Sequence, residues 1–203
     1  STPSPAMIKA ALVNAAEDEE GGTYPVEIPS ALLGEGQPVY ANVEHAPEKN
    51  QGWGGLNMDK CLPDPGKENE FIFFDQDTAT LTSNGEVWEK TIYAIDNDTP
   101  MYITLAWTDP AASAGAGKAL VNNLDLSLVN GADQIILGNA MKKGWSGLGG
   151  SADNVNNVEV IKIQNPYGAF KLKVKATSLG GKILPTDSSN SQDFAIAIKG
   201  ATL

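Results

Sequence analysis

Residues 169–176 read Ala-Phe-Lys-Leu-Lys-Val-Lys-Ala. In an extended chain Phe170, Leu172, Val174 and Ala176 face one way, and Lys171, Lys173 and Lys175 the other. A period of two marks a strand with one buried and one wetted face, and such strands belong to antiparallel sheets. The same alternation recurs in Ile103, Leu105 and Trp107, in Leu124, Leu126 and Leu128, and in Phe194, Ile196 and Ile198. Working outward gives candidate strands at 70–74, 87–95, 101–107, 124–129, 134–137, 158–163, 169–176 and 194–198. They predict a mainly β fold of about eight antiparallel strands, a β-sandwich or jelly roll, preceded by a small helical and loop segment. The lysine row also discourages edge-to-edge pairing. Two connections are long, 109–122 and the glycine-rich 138–157, and long loops in compact domains are functional or mobile.

Upstream the texture differs. Ser4 is an expected N-cap and Pro5 suits the first helical position, so a helix is predicted over 4–16. Met7, Ile8, Ala11, Leu12 and Ala15 recur at helical spacing, with Lys9 and Asn14 off that face. The acidic run 17–20 and Gly21-Gly22 end it. Prolines 25, 29, 38 and 47 forbid long regular structure over 22–50, with one helical turn expected at 30–33. A glycine-framed Trp53 leads into a short helix ending near Leu62. Pro63, Pro65 and Gly66 then mark a boundary, giving segments 1–62 and 63–203.

A chain of 203 residues with 41% hydrophobic and 19% charged residues can build a true core. No apolar run approaches the roughly 18 residues of a membrane span, and residues 1–5 lack the features of a signal peptide, so an export signal is expected upstream of the chain or nowhere. Twenty-five acidic residues face fourteen lysines and no arginine, for a net charge of −11. That balance argues against nucleic acid and anionic membrane as partners. One cysteine, Cys61, allows no intrachain disulfide, so packing or bound metal must stabilise the fold. The single histidine, His45, falls in the proline-rich loop and reads as a surface residue.

Polar groups gather where predicted strands meet the two long loops: Asp109, Asn123 and Asp125 at one, and Asp153, Asn156, Asn157 and Glu159 at the other. Calcium takes about six to eight oxygens from carboxylates, amides, backbone and water, and these residues supply that mixture. Asx-turns and strand caps are the alternative use of the same side chains. Trp145, set among glycines in the second loop, is either a lid folded over the sheets or an exposed stacking platform.

Several segments in order are familiar. Residues 4–12 (SPAMIKAAL) resemble the helix that follows the catalytic-serine helix of subtilisin-like proteases, and 51–57 (QGWGGLN) resembles the turn into the last helix of that catalytic domain, with Gly55 where a basic residue is usual. Residues 103–110, 120–126, Gly138-Asn139, Asp153 and 156–159 resemble the C-terminal jelly-roll domain of bacterial alkaline subtilases. The match covers nearly the whole chain and thins at 20–48. The resemblance implies a catalytic-domain remnant over 1–62 and a jelly roll over 63–203, in a secreted serine endopeptidase. It also implies structural calcium, for which the candidate ligands are Asp109, Asn123, Asp125, Asp153, Asn156 and Glu159. The implied partner is the parent's catalytic domain, and through it protein substrates. The family's Gly-Thr-Ser-Met nucleophile turn is absent, so a serine–histidine–aspartate triad is not expected here. A free-standing β-sandwich binding module, for carbohydrate or protein, is the rival reading.

Overall fold

The structure, a computed structural model, describes residues 2–26, 39–184 and 186–203. The helical turn expected at 30–33 lies outside them. The elements run α1 (Pro5–Asn14), β1 (Thr23–Val26), β2 (Val39–Asn42), β3 (Phe71–Phe74), β4 (Thr80–Leu81), β5 (Val87–Ala94) and β6 (Met101–Ala106). Next come β7 (Asn122–Val129), β8 (Ile135–Lys142), β9 (Trp145–Leu148), β10 (Val158–Ile163), β11 (Ala169–Leu179), β12 (Gln192–Asp193), β13 (Ala195–Lys199) and β14 (Ala201–Thr202). Two 3₁₀ turns, Met58–Lys60 and Glu68–Glu70, lie between β2 and β3.

The fold is mainly β. One antiparallel sheet has the order β10-β6-β13-β3 and a second β14-β5-β11-β7-β8-β9. Their inner faces share one core: Ile103, Leu105, Ile161, Ile196 and Ile198 from the first, and Ile92, Leu124, Leu126, Leu128, Leu172 and Val174 from the second. The alternation that predicted the strands is the alternation that fills this core. Trp88 completes it with edge-on contacts to Phe74 and Phe194 at 4.9 and 5.6 Å.

All eight expected strands are present, but the described residues hold more than eight. β4, β12 and β14 are two residues each, too short to show any alternation. The loop expected at 138–157 is largely strand: β8 runs on to Lys142, turns at Lys143-Gly144, and returns as β9. Both turn residues have positive φ, 52° and 75°, the two-residue hairpin geometry that favours glycine at its second position. What reads as a breaker in the sequence is here a hairpin turn.

The helix forms as expected at its start. Ser4 caps it, its Oγ accepting from Met7 N–H at 3.0 Å, and Pro5 comes next. Asp75, just after β3, accepts from both the Ser4 N–H and hydroxyl, pinning this end. The buried face differs from the predicted one. Ala6, Met7, Ala10 and Asn14 turn inward, whereas Ile8 is 49% exposed. Ala10 packs on Ala106, Val158 and Ala197, so the helix lies on the outer face of the four-stranded sheet. Trp53 closes against the same cluster. Asn14, expected to face water, is buried because its amide donates to Thr104 Oγ1 at 3.2 Å and to the Ala197 carbonyl at 3.1 Å.

Candidate functional site

Hydrogen bonding divides the six candidate calcium ligands into separate groups. Asp109 lies just after β6, and its two carboxylate oxygens accept from Val121 and Asn122 N–H, each at 2.7 Å. It clamps both ends of the 109–122 loop. Asn122 extends the clamp: fully buried, it donates to Gln192 Oε1 at 2.9 Å and the Gly181 carbonyl at 3.1 Å, and its own oxygen accepts from Gly181 N–H at 2.9 Å. Its carbonyl receives the Trp107 indole N–H at 3.0 Å.

Asp153 is saturated by a second set. Oδ1 accepts from Val155 and Asn156 N–H at 2.8 and 3.1 Å, and Oδ2 from the amides of Asn139 and Asn156 at 2.6 and 2.7 Å. Burial works against this charge, but the four donors outweigh it and hold the carboxyl below its ordinary range. Asn156 therefore serves Asp153 as a donor. Asn139, at φ 58°, also bridges β8 to β10: it donates to the Val158 carbonyl at 2.9 Å and accepts from Val160 N–H at 2.8 Å.

The remaining three are Asn123 and Asp125, hydrogen-bonded to each other, and Glu159, which feels Asp125 through its charge alone. The β7–β8 ladder stops at Ser127–Leu137 although β8 continues, and the Leu126 N–H left over donates to Glu159 Oε2 at 2.8 Å. Glu159, 1% exposed, is wedged where the strands part. Gly138 makes room for it, since a Cβ there would lie 2.2 Å from Glu159 Oε2. Burial, with the charges of Asp125 and Asp153, pushes the Glu159 carboxyl up to about 9 against the relief from Leu126 N–H. Asn123 donates to Asp125 Oδ1 at 3.1 Å, and Asp125 Oδ2 accepts from the Thr177 hydroxyl. Two buried oxygens have no donor among the described residues, Asn123 Oδ1 and Glu159 Oε1. Such orphans are the donor chemistry a hard cation takes. Among the described residues no three His, Cys, Asp or Glu side chains gather as a metal-ligand group, so any fit to calcium rests on this mixed amide and carboxylate set.

Among the described residues His45 faces carboxylates and no serine. Nδ1 lies 2.9 Å from Asp18 Oδ2 and Nε2 3.2 Å from Glu20 Oε1, so both ring nitrogens meet carboxylates. Fluorophosphonate probes are accordingly expected to leave every serine of the isolated chain unlabelled. Stoichiometric labelling read by peptide mass mapping would sink that expectation.

A further surface runs along α1. Met7, Ile8, Ala11 and Leu12 line one side of an apolar groove of about 510 Å³, and Met58, Leu62 and Phe73 the other. Ile8, Met58, Leu62 and Phe73 are all exposed.

No family model matches the chain. It is 28% identical, over 99% of its length, to a Dictyostelium discoideum protein named serine protease/ABC transporter B family protein tagA. A second protein of that name series, tagD, is 41% identical over 29% of the chain. The chain spans 10% of the first relative and 4% of the second. A crystal structure of a Sulfurospirillum deleyianum protein aligns with 64% of the chain and 96% of its own, at 11% identity and a TM-score of 0.33. The chain is thus similar from end to end to a protein named in part as a serine protease.

Proposed function

We propose that this chain is the C-terminal portion of a secreted subtilisin-like serine endopeptidase. Residues 1–62 close the catalytic domain, and 63–203 form a non-catalytic jelly-roll sandwich that supports it. The end-to-end similarity to a protein named serine protease carries the reading. The ordered motifs of the sequence and the absence of a nucleophile turn agree with a supporting rather than a catalytic part.

The groove along α1 is where the catalytic domain docks in this reading. Exposed apolar side chains on both walls form a patch of the kind that marks an interaction site. Asn123, Asp125 and Glu159 would hold a structural calcium ion, which would supply positive charge beside the half-buried Asp125 and favour the ionised form of buried Glu159. Asp109, Asp153 and Asn156 act beside it as loop clamps.

The test is association. Ile8→Asp with Leu62→Asp changes two exposed side chains, so the melting temperature of the chain should stay within about 1–2 °C, as for other surface changes. The same pair should weaken binding to the separately expressed catalytic domain of the same gene by about tenfold or more. If the unaltered chain fails to bind that domain, or the double variant binds it equally well, the supporting role is wrong.

A further inference from the structure

The outer face of the four-stranded sheet is only partly covered by α1. Its next row, beyond the helix end, is Lys162 on β10, Tyr102 on β6 and Lys199 on β13, paired directly across the strands. These three side chains floor a cavity of about 390 Å³. The chain leaving α1, with Glu17, Asp18 and Glu20, walls it, together with His45 and Lys60. The β8–β9 hairpin tip forms the lid: Gly144 sits against Asp18 and His45, and Trp145 leans on Tyr102 with ring centres 6.1 Å apart.

The charges in this cavity are unevenly used. Glu17 pairs with Lys60, and Asp18 and Glu20 both pair with His45. Lys143, Lys162 and Lys199 have no ion pair among the described residues. Lys162 is the telling one, at 5% exposure. Its ammonium donates to no side chain or carbonyl of the described residues, although it lines the cavity. The stem of Lys162 is buried while its ammonium reaches the cavity, and burial lowers the Lys162 pKa, with only the Asp18 charge opposing. An anion in the cavity supplies the missing partner.

We propose that this cavity binds a carboxylate, either a small free acid or the C-terminus of a peptide. A single negative charge suits it better than a phosphate dianion. The walls already carry three carboxylates, the helix presents its negative C-terminal end, and no arginine fork is available. The volume fits a small ligand, and Tyr102 and Trp145 offer a flat apolar surface for the rest of it. The site stands whether or not the protease reading holds.

Calorimetric titration of the chain with acetate, N-acetyl-dialanine, the amide of that dipeptide and inorganic phosphate tests it. The dipeptide acid or acetate should bind, the amide about tenfold more weakly or not at all, and phosphate no more tightly than the acid. Equal affinity for acetate and dipeptide identifies a small free acid, and tighter binding of the dipeptide a peptide C-terminus. Lys162→Met keeps the stem and should weaken binding by about tenfold or more with the circular dichroism spectrum unchanged. Should that variant not fold, Lys143→Met and Lys199→Met, both closer to solvent, are expected to weaken binding in the same direction. Binding of the amide as tight as the acid, tighter binding of phosphate, no binding at about 10 mM ligand, or undiminished affinity in the folded lysine variants would each overturn the proposal.

Discussion

In chelator at pH 7, Glu159→Gln is expected to raise the melting temperature by roughly 6–12 °C, at about 2–4 °C per kcal/mol for a chain of this size. Glu159 has an ordinary value of 4.5 and a folded-state value of about 9. Between those values the unfolded chain releases the proton that the folded one must keep. Stability therefore falls as pH rises from 4.5 towards 9. At pH 7 the cost is about 3 kcal/mol, from roughly 1.4 kcal/mol per unit. Glutamine keeps the shape and cannot ionise, so it lifts this cost, and the gain should vanish at and below pH 4.5. Calcium should narrow the difference or reverse it. At free calcium about 100-fold above its dissociation constant, the unaltered protein gains about 2.7 kcal/mol, and the glutamine variant much less. Scanning fluorimetry across pH, with calcium and with chelator, reads both effects. A melting temperature of the unaltered protein that ignores calcium would leave loop capping as the use of Asn123 and Asp125, and a variant no more stable at pH 7 would show that Glu159 is not held protonated.

Asn122→Ala is expected to destabilise the protein by about 3–5 kcal/mol, because each buried partner left unpaired costs about 1–3 kcal/mol. The amide joins Gly181, Ser191 and Gln192 to the 109–122 loop. At least three groups lose a partner, the buried Gln192 among them. Urea unfolding measures it. A loss below about 1 kcal/mol would mean that water or a rearranged loop replaces the amide.

Period-two patterning made the core strands legible, since the same side chains that alternate in the sequence fill the space between the sheets. The start of α1 was legible for a local reason: Ser4 and Pro5 act within one turn. Its buried face was not. Apolarity favours Ile8 and Leu12, but the close approach to β6 and β13 selects small residues, and Asn14 is drawn in by partners ninety and more positions away. The β8–β9 hairpin was hidden by its glycines, which serve a turn at Gly144 and a close carboxylate at Gly138. Of the candidate ligands, chemical type was readable and partnership was not. Nothing local distinguishes Asp109 and Asp153, saturated by backbone and amide donors, from Glu159, which the end of a strand ladder leaves half satisfied. The Lys162–Tyr102–Lys199 row depends on cross-strand register, which a single strand does not encode.

The middle of the seam beneath α1 is built of short side chains, Ala10 against Ala106 and Ala197, with Ala6 meeting Ala195 further along. Side chains this short have no rotamers with which to absorb a change. The strands below are hydrogen-bonded into a sheet, so a larger residue anywhere in the seam lifts the helix as a rigid bar. The helix carries one wall of the apolar groove along its side and leads at its end into a wall of the lysine-floored cavity. A single added carbon at the seam thus acts as a lever with two arms, altering the width of both surfaces at once without touching a residue of either.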